Sequence, residues 1–303
     1  MTWKKLGVIV PPQSDIYWLA SHVGPSFVTQ SEGTLQIYIT GRDLNNVSRI
    51  GIADLQLSGE TAKITHIAAD PIYDVGELGT FDESGVSYPW LVYHENKIYM
   101  YYVGWVNGGL NRFQNFTGLA ISEDGGKTFH RVSQVPILDR SKAEPFGSGS
   151  CCVFIEDEIW KMYYTAFDKW EHAAGKNKPW YNLKFAWSKD GIEWHRDKSV
   201  VINYEGDDEH IIGKPMLIQE KGIYKLWYSH RGASYRIGYA ESKDGNIYER
   251  KDHEVGIDVS AEGWDSEMIE YNYVFDHGGR RYMVYNGNNF GKTGLGLAIW
   301  EGK

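Results

Sequence analysis

The chain has 303 residues and a formal net charge of −9, with 31 Lys and Arg against 40 Asp and Glu. No Lys/Arg run exceeds two residues, so no basic stripe exists to neutralise a phosphate backbone, and nucleic acid is excluded as a partner. Apolar residues make up 42% and aromatics 15%, with 21 Tyr and 12 Trp, a composition that suits strands and can stack on sugar faces.

The chain opens on MTWKKLGVIVPP, a short apolar run ended by two prolines. It is too short for a secretory or membrane-spanning segment, so no membrane span and a cytoplasmic location are expected. Residues 4 to 10 read as a lone strand. Five segments then repeat one grammar, in which an apolar stretch and a polar turn lead to an aromatic strand, a loop and a strand ending in Ala. The aromatic strands are LQIYITG (35 to 41), KIYMYYVGW (97 to 105), WKMYYTA (160 to 166), YKLWYSHR (224 to 231) and RYMVYNGN (281 to 288). The strands that follow carry Ala53, Ala120, Ala186, Ala240 and Ala298 at one aligned position.

Three copies continue through a turn to a further aromatic: SEDGGKTFHR, SKDGIEWHR and SKDGNIYER. Asp-Gly between strands is a hairpin signal, so each copy is a four-stranded antiparallel meander. A meander cannot bury both its faces alone, and packing five around an axis predicts an all-β, five-bladed β-propeller spanning residues 1 to 303 as one domain. The fifth copy stops at its third strand, and the N-terminal strand is expected to supply its fourth and close the ring. Cys151 and Cys152 are neighbours with poor geometry for a disulfide and read as reduced core residues.

In a meander, the entries to first strands and the loops joining second to third strands share one face. Acids recur at four entries: Asp82 and Glu83, Glu144, Asp208 and Glu209, Asp265 and Glu267. Such acids, exposed in entry loops and individually dispensable for folding, would ring one central depression. The first entry offers His22 instead. The loops add Arg42, Trp105, Arg231, Asn286 and Asn288, and Lys214 follows the fourth entry. Carboxylates, amides, guanidinium groups and indoles together suit a polyhydroxylated ligand. His22, His210 and His230 fall near this face without the close spacing of a zinc motif, so no metal or other cofactor is expected.

The strings GTFDESGVSYPWLVY, EHIIGKPMLI, YKLWYSHRG, YRIGYAESKDG, WDSEMIEY and YNGNNFGKTGLGLA are similar to bacterial five-bladed propeller proteins described as glycosyl-hydrolase-like. These are related to the arabinanase and β-xylosidase, invertase and levansucrase, and β-mannoside phosphorylase groups, and often accompany surface-polysaccharide genes. The resemblance covers nearly the whole chain. It implies glycosidic bond cleavage by paired carboxylates in an axial pocket, with Asp82, Glu209 and Glu267 the positional matches. Glu267 or Glu209 would be the acid and Asp82 the base, with the loop residues named above binding the sugar. HVGPSF stands where a WMNDPN-type acid would fall, and GSGSCC replaces an RDP element, which weighs against retaining fructosidase chemistry. The alternatives are a phosphorylase, with Arg231 and Lys214 holding phosphate, and a non-catalytic carbohydrate-binding propeller. The same two cations could instead hold the carboxylate of an acidic sugar.

Overall fold

The computed structural model describes residues 1–31, 34–173 and 175–302. The chain is all-β and propeller-like, and among the described residues no helix is long and apolar enough to cross a membrane. After β1 (Trp3–Val10), unit 1 holds β2 (His22–Ser31), β3 (Thr34–Arg42), β4 (Ser48–Ser58) and β5 (Thr61–Ile67). Unit 2 holds β6 (Gly85–His94), β7 (Lys97–Asn107), β8 (Phe113–Ser122) and β9 (His130–Arg131). Unit 3 holds β10 (Ser148–Glu156), β11 (Ile159–Ala173), β12 (Lys176–Ser188) and β13 (His195–Ile202). Unit 4 holds β14 (Ile211–Glu220), β15 (Ile223–Arg231), β16 (Tyr235–Ser242) and β17 (Glu249–Arg250), and unit 5 holds β18 (Glu270–His277), β19 (Arg280–Asn286) and β20 (Leu295–Trp300).

Strands pair antiparallel in sequence order within each unit. Unit 5 takes its fourth strand from the start of the chain: β1 pairs antiparallel with β20, Trp3 opposite Trp300 and Val10 opposite Leu295. The first strands β2, β6, β10, β14 and β18 contact one another in that order, and β18 returns to β2. Phe27, Trp90 and Tyr273, from the first strands of units 1, 2 and 5, meet with ring centroids 4.6–5.8 Å apart.

The aligned alanines explain how the units stack. Ala53, Ala120, Ala186, Ala240 and Ala298 lie opposite Ile37, Met100, Met162, Leu226 and Met283 of the second strands, and all ten are fully buried. A larger side chain there would meet an interior packed without voids. The Ser-x-Asp turns serve the same packing. The Oδ1 atoms of Asp124, Asp190 and Asp244 each accept two backbone N–H groups of their own turn. Tyr101 and Tyr163 donate across to the turn carbonyls of Gly191 and Gly245 in the next unit, at 2.8 and 2.7 Å. Cys151 and Cys152 are buried and unbonded to each other.

Each first strand carries a bulge near its start. In units 2, 4 and 5 the bulged residue is Tyr88, Lys214 or Tyr271, with φ of 55°, 52° and 57°. Positive φ is costly for residues with a Cβ and persists where neighbours enforce it. Here the hydroxyls of Thr40, Ser150 and Ser229, each from the preceding unit, accept the bulged N–H groups at 3.0, 2.9 and 2.8 Å. A bulge re-aims its side chain, and these three all reach one central cavity.

Candidate active site

The recurring entry acids do not point into the centre. Asp82 accepts hydrogen bonds from Tyr102 at 3.0 Å and Thr80 at 2.9 Å, and pairs with Arg131 at 2.8 Å. Glu144 takes the Tyr164 hydroxyl at 2.9 Å, Lys184 at 3.1 Å and Arg196 at 2.9 Å. Glu209 is gripped by two nitrogens of Arg250 at 2.7 and 3.0 Å, by His230 Nδ1 at 2.6 Å and by the Glu205 amide at 2.7 Å. Asp265 takes Tyr285 at 3.0 Å and Lys5 at 2.7 Å. All four acids are buried.

Register shows why this recurs. Arg131, Arg196, Arg250 and Lys5 each sit on an outer strand directly opposite the aligned alanine. Tyr102 and Tyr228 lie over Gly118 and Gly238, where an added Cβ would come within 2.5 and 2.3 Å of the ring. Unit 1 builds the place from apolar groups, with Leu19 and Trp18 against Gly41 where unit 2 sets Asp82 and Phe81 against Gly104, and Ile67 opposite Ala53. The entry acids therefore clamp loops to outer strands.

This corrects one expectation: Asp82 and Glu209 are not exposed entry-loop acids, being 0% and 9% exposed. For Glu209, expected as a proton donor, burial pushes the carboxyl up, but Arg250, His230 and the Glu205 amide outweigh that and hold it at about 2, the direction that disfavours that role. A group ionised at neutral pH has no proton to give. Glu267 is exposed in the loop before β18. Among the described residues, no two of Asp82, Glu209 and Glu267 share a hydrogen bond.

The remaining predicted residues divide into braces and cavity neighbours. Asn288 accepts the Glu267 and Met268 amides at 2.8 and 3.2 Å and donates to Gly263 O at 3.0 Å, bracing a loop. Trp105 donates to Ser48 Oγ at 2.8 Å across units 1 and 2. His22 is bonded to Ser21 Oγ at 2.9 Å, and burial with the nearby Arg42 and Lys292 charges lowers it to about 4. Asn286 is fully buried and donates to Val23 O. His210 is buried against Trp180.

The central cavity is about 30 Å³, room for one or two waters, and its walls include Tyr88, Tyr181, Lys214, Tyr235 and Tyr271. Among these phenols lies Glu270, the first residue of β18, which is 0% exposed. Neither of its carboxyl oxygens has a hydrogen-bond partner among the described residues. Burial pushes its pKa well above the usual range, against the pull of Arg231, the adjacent Tyr271 hydroxyl and Arg42. Six of the eleven buried side-chain N and O atoms without a partner among the described residues belong to Arg231, Glu270, Asn272 and Asn286. Orphaned polar atoms cost about 1–3 kcal/mol each, so their concentration around the start of β18 makes this the candidate ligand site. No group of three or more His, Cys, Asp or Glu that could hold a metal ion occurs among the described residues.

Glu270 is the first residue of β18 itself and lies outside the series of acids upstream of the first strands. Aligned on the bulge, it matches Val23, Ser87, Ser148 and Gly213, and an acid in that apolar or small series stands out.

The fold is that of glycosidase structures. A structure titled "Glycoside hydrolase" superposes with a TM-score of 0.78 at 18% identity, over 99% of this chain and 92% of the other. One titled "The GH130 family of mannoside phosphorylases contains glycoside hydrolases that target beta-1,2 mannosidic linkages in Candida mannan" gives 0.70 at 17%, over 97% and 90%. The Bombyx mori GH32 β-fructofuranosidase BmSUC1 gives 0.65 at 14%, over 97% and 61%. No protein-family model matches the chain. Two Mycobacterium tuberculosis proteins, "Uncharacterized protein MT1551" of strain CDC 1551 / Oshkosh and "Uncharacterized protein Rv1502" of strain ATCC 25618 / H37Rv, are each 37% identical over 304 residues, covering 99% of this chain and all of theirs. The chain belongs to the family of these two proteins.

Proposed function

We propose that the five units are blades of one closed five-bladed β-propeller spanning residues 1 to 303, and that it cleaves a glycosidic bond at the axial cavity with Glu270 as proton donor. The observation that carries this reading is the Glu270 carboxyl, fully buried, unpartnered and surrounded by phenols. Burial raises its pKa well above the usual carboxyl range, the direction that favours the protonated form a general acid needs. Its proton passes to the leaving oxygen as the bond from that oxygen to the anomeric carbon breaks, and water supplies the group that replaces it. Glu267, an exposed carboxylate in the loop leading into β18, is the candidate base for that water. Asp82 and Glu209 brace the blades. The likeness to glycosidase folds supports the reaction class. A sugar is larger than the cavity, so its entry displaces rings such as Tyr181 and Tyr235, whose hydroxyls now meet at 3.0 Å.

The test is a screen of wild type, Glu270→Gln and Glu267→Gln against aryl glycosides and oligosaccharides, with and without phosphate. Glu270→Gln should lose at least about 10²-fold in turnover, the usual share of general acid catalysis. It should also melt higher than wild type, by a margin that grows with pH. The folded carboxyl holds its proton more tightly than the unfolded one, so the Glu270 contribution to stability is greatest at acid pH and falls as pH rises above about 4.5, whereas an amide does not titrate. Wild-type turnover that survives in Glu270→Gln would remove Glu270 from the mechanism. Sugar binding without turnover across the screen would assign a binding propeller instead.

A further inference from the structure

Six arginines of this acidic protein, Arg49, Arg131, Arg196, Arg236, Arg250 and Arg281, engage carboxylates. Lys214 at the cavity and Arg42 and Arg231 beside Glu270 do not. Among the described residues Arg42, Arg231 and Lys214 have no ion pair, and Lys214 is only 2% exposed. Its ammonium rests over the rings of Trp90 and Tyr273, 5.5 and 5.7 Å from their centroids, and the residue lines the cavity. Arg42 and Arg231 hold one position in the repeat, each five residues beyond the second-strand residue opposite the aligned alanine. Both lie close enough to Glu270 to act on its charge. A buried cation without counter-charge is costly, and Lys214 is one; Arg42 and Arg231, half-buried, add two more beside the Glu270 carboxyl.

We propose that the cavity selects a sugar carrying its own negative charge, a uronate-type carboxylate held by Arg231 and Arg42 with Lys214 beneath it. This rests on the glycoside-cleaving reading and names its substrate class. The Arg231 guanidinium lies 5.2 Å from the Tyr235 ring and 5.9 Å from Phe290, and its buried Nε has no hydrogen-bond partner among the described residues. A guanidinium edge matches a planar group with two oxygens. A protonated Glu270 does not repel such a group, as an ionised carboxylate would.

The experiment is calorimetric and thermal-shift titration of the intact protein with glucuronate, galacturonate and their methyl glycosides, against glucose, galactose and inorganic phosphate. The uronates should bind at least about tenfold more tightly than their neutral parents, and Arg231→Met and Arg42→Met should each remove about tenfold or more of that affinity. Lys214→Met keeps the shape of a buried side chain and should weaken uronates by a larger factor than neutral sugars. The two arginine variants lie at strand ends and keep the test valid if Lys214→Met does not fold. Equal affinity for uronate and neutral parent overturns the proposal, as does stabilisation by phosphate alone that matches the uronates. Binding needs no turnover, so uronate preference without cleavage would sink the enzymatic reading alone, and cleavage of neutral glycosides without uronate preference would sink this inference alone.

Discussion

A chain lacking residues 1–10 is expected to lose most of its stability and to associate through an exposed edge. β1 is the outer strand of unit 5, and without it β20 presents unpaired N–H and C=O groups, a template for pairing with other chains. Three further losses accompany the edge. Trp3 and Val10 are 6% and 0% exposed, and burying two such side chains contributes about 1.5–3 kcal/mol each. Trp3 also donates to Val255 O at 3.0 Å, tying β1 to the segment between units 4 and 5. Lys5 pairs with Asp265, which is 1% exposed, and removing one partner of a buried pair costs about 3–5 kcal/mol. Together these approach the whole stability of an ordinary domain, about 5–15 kcal/mol. The measurements are thermal melting and sedimentation of full-length, truncated and Lys5→Ala chains. Lys5→Ala keeps the strand and strips only the pair, so it should melt between the other two. A truncated chain that melts with wild type would show that β1 does not close unit 5 in solution.

The repeat was legible because its marks are steric. An alanine at one position and aromatics around it recur wherever sheets approach closely, and both can be counted in the chain. The entry acids were legible as a series too, but their destination was not, because each is decided by a cation far along the sequence. Arg131, Arg196 and Arg250 close the strings SEDGGKTFHR, SKDGIEWHR and SKDGNIYER or follow directly on them, so acid and cation repeat together. Matched copy by copy, Asp82 with Arg131 and Glu209 with Arg250, they form a pair within one unit. Unit 1 carries the control: where the cation is replaced by Ile67, the acid is replaced by Leu19. Glu270 was hidden for the opposite reason. It has no partner to repeat with, and only the bulge, a backbone feature, fixes its place at the axis.

The clamp reading and the catalytic reading of Glu209 predict opposite outcomes for one substitution. Glu209→Gln keeps the shape and removes the charge that Arg250 and His230 bond, at 2.7 and 2.6 Å. Holding the carboxyl at about 2 rather than the ordinary 4.5 corresponds to about 3 kcal/mol at neutral pH, which the amide forfeits. The pH dependence follows from the sign of the shift. A carboxyl whose folded pKa is depressed contributes its full stability above about 4.5, and that contribution is lost as pH falls towards 2. The melting gap between wild type and Glu209→Gln should therefore be wide at pH 7 and close in acid. Glu267→Gln, at an exposed loop position, should change stability by no more than about 0.5 kcal/mol at either pH. If the folded fraction of Glu209→Gln retains wild-type turnover, Glu209 holds the fourth unit together and nothing more. A variant that melts with wild type at pH 7 yet turns over no sugar would return Glu209 to the chemistry.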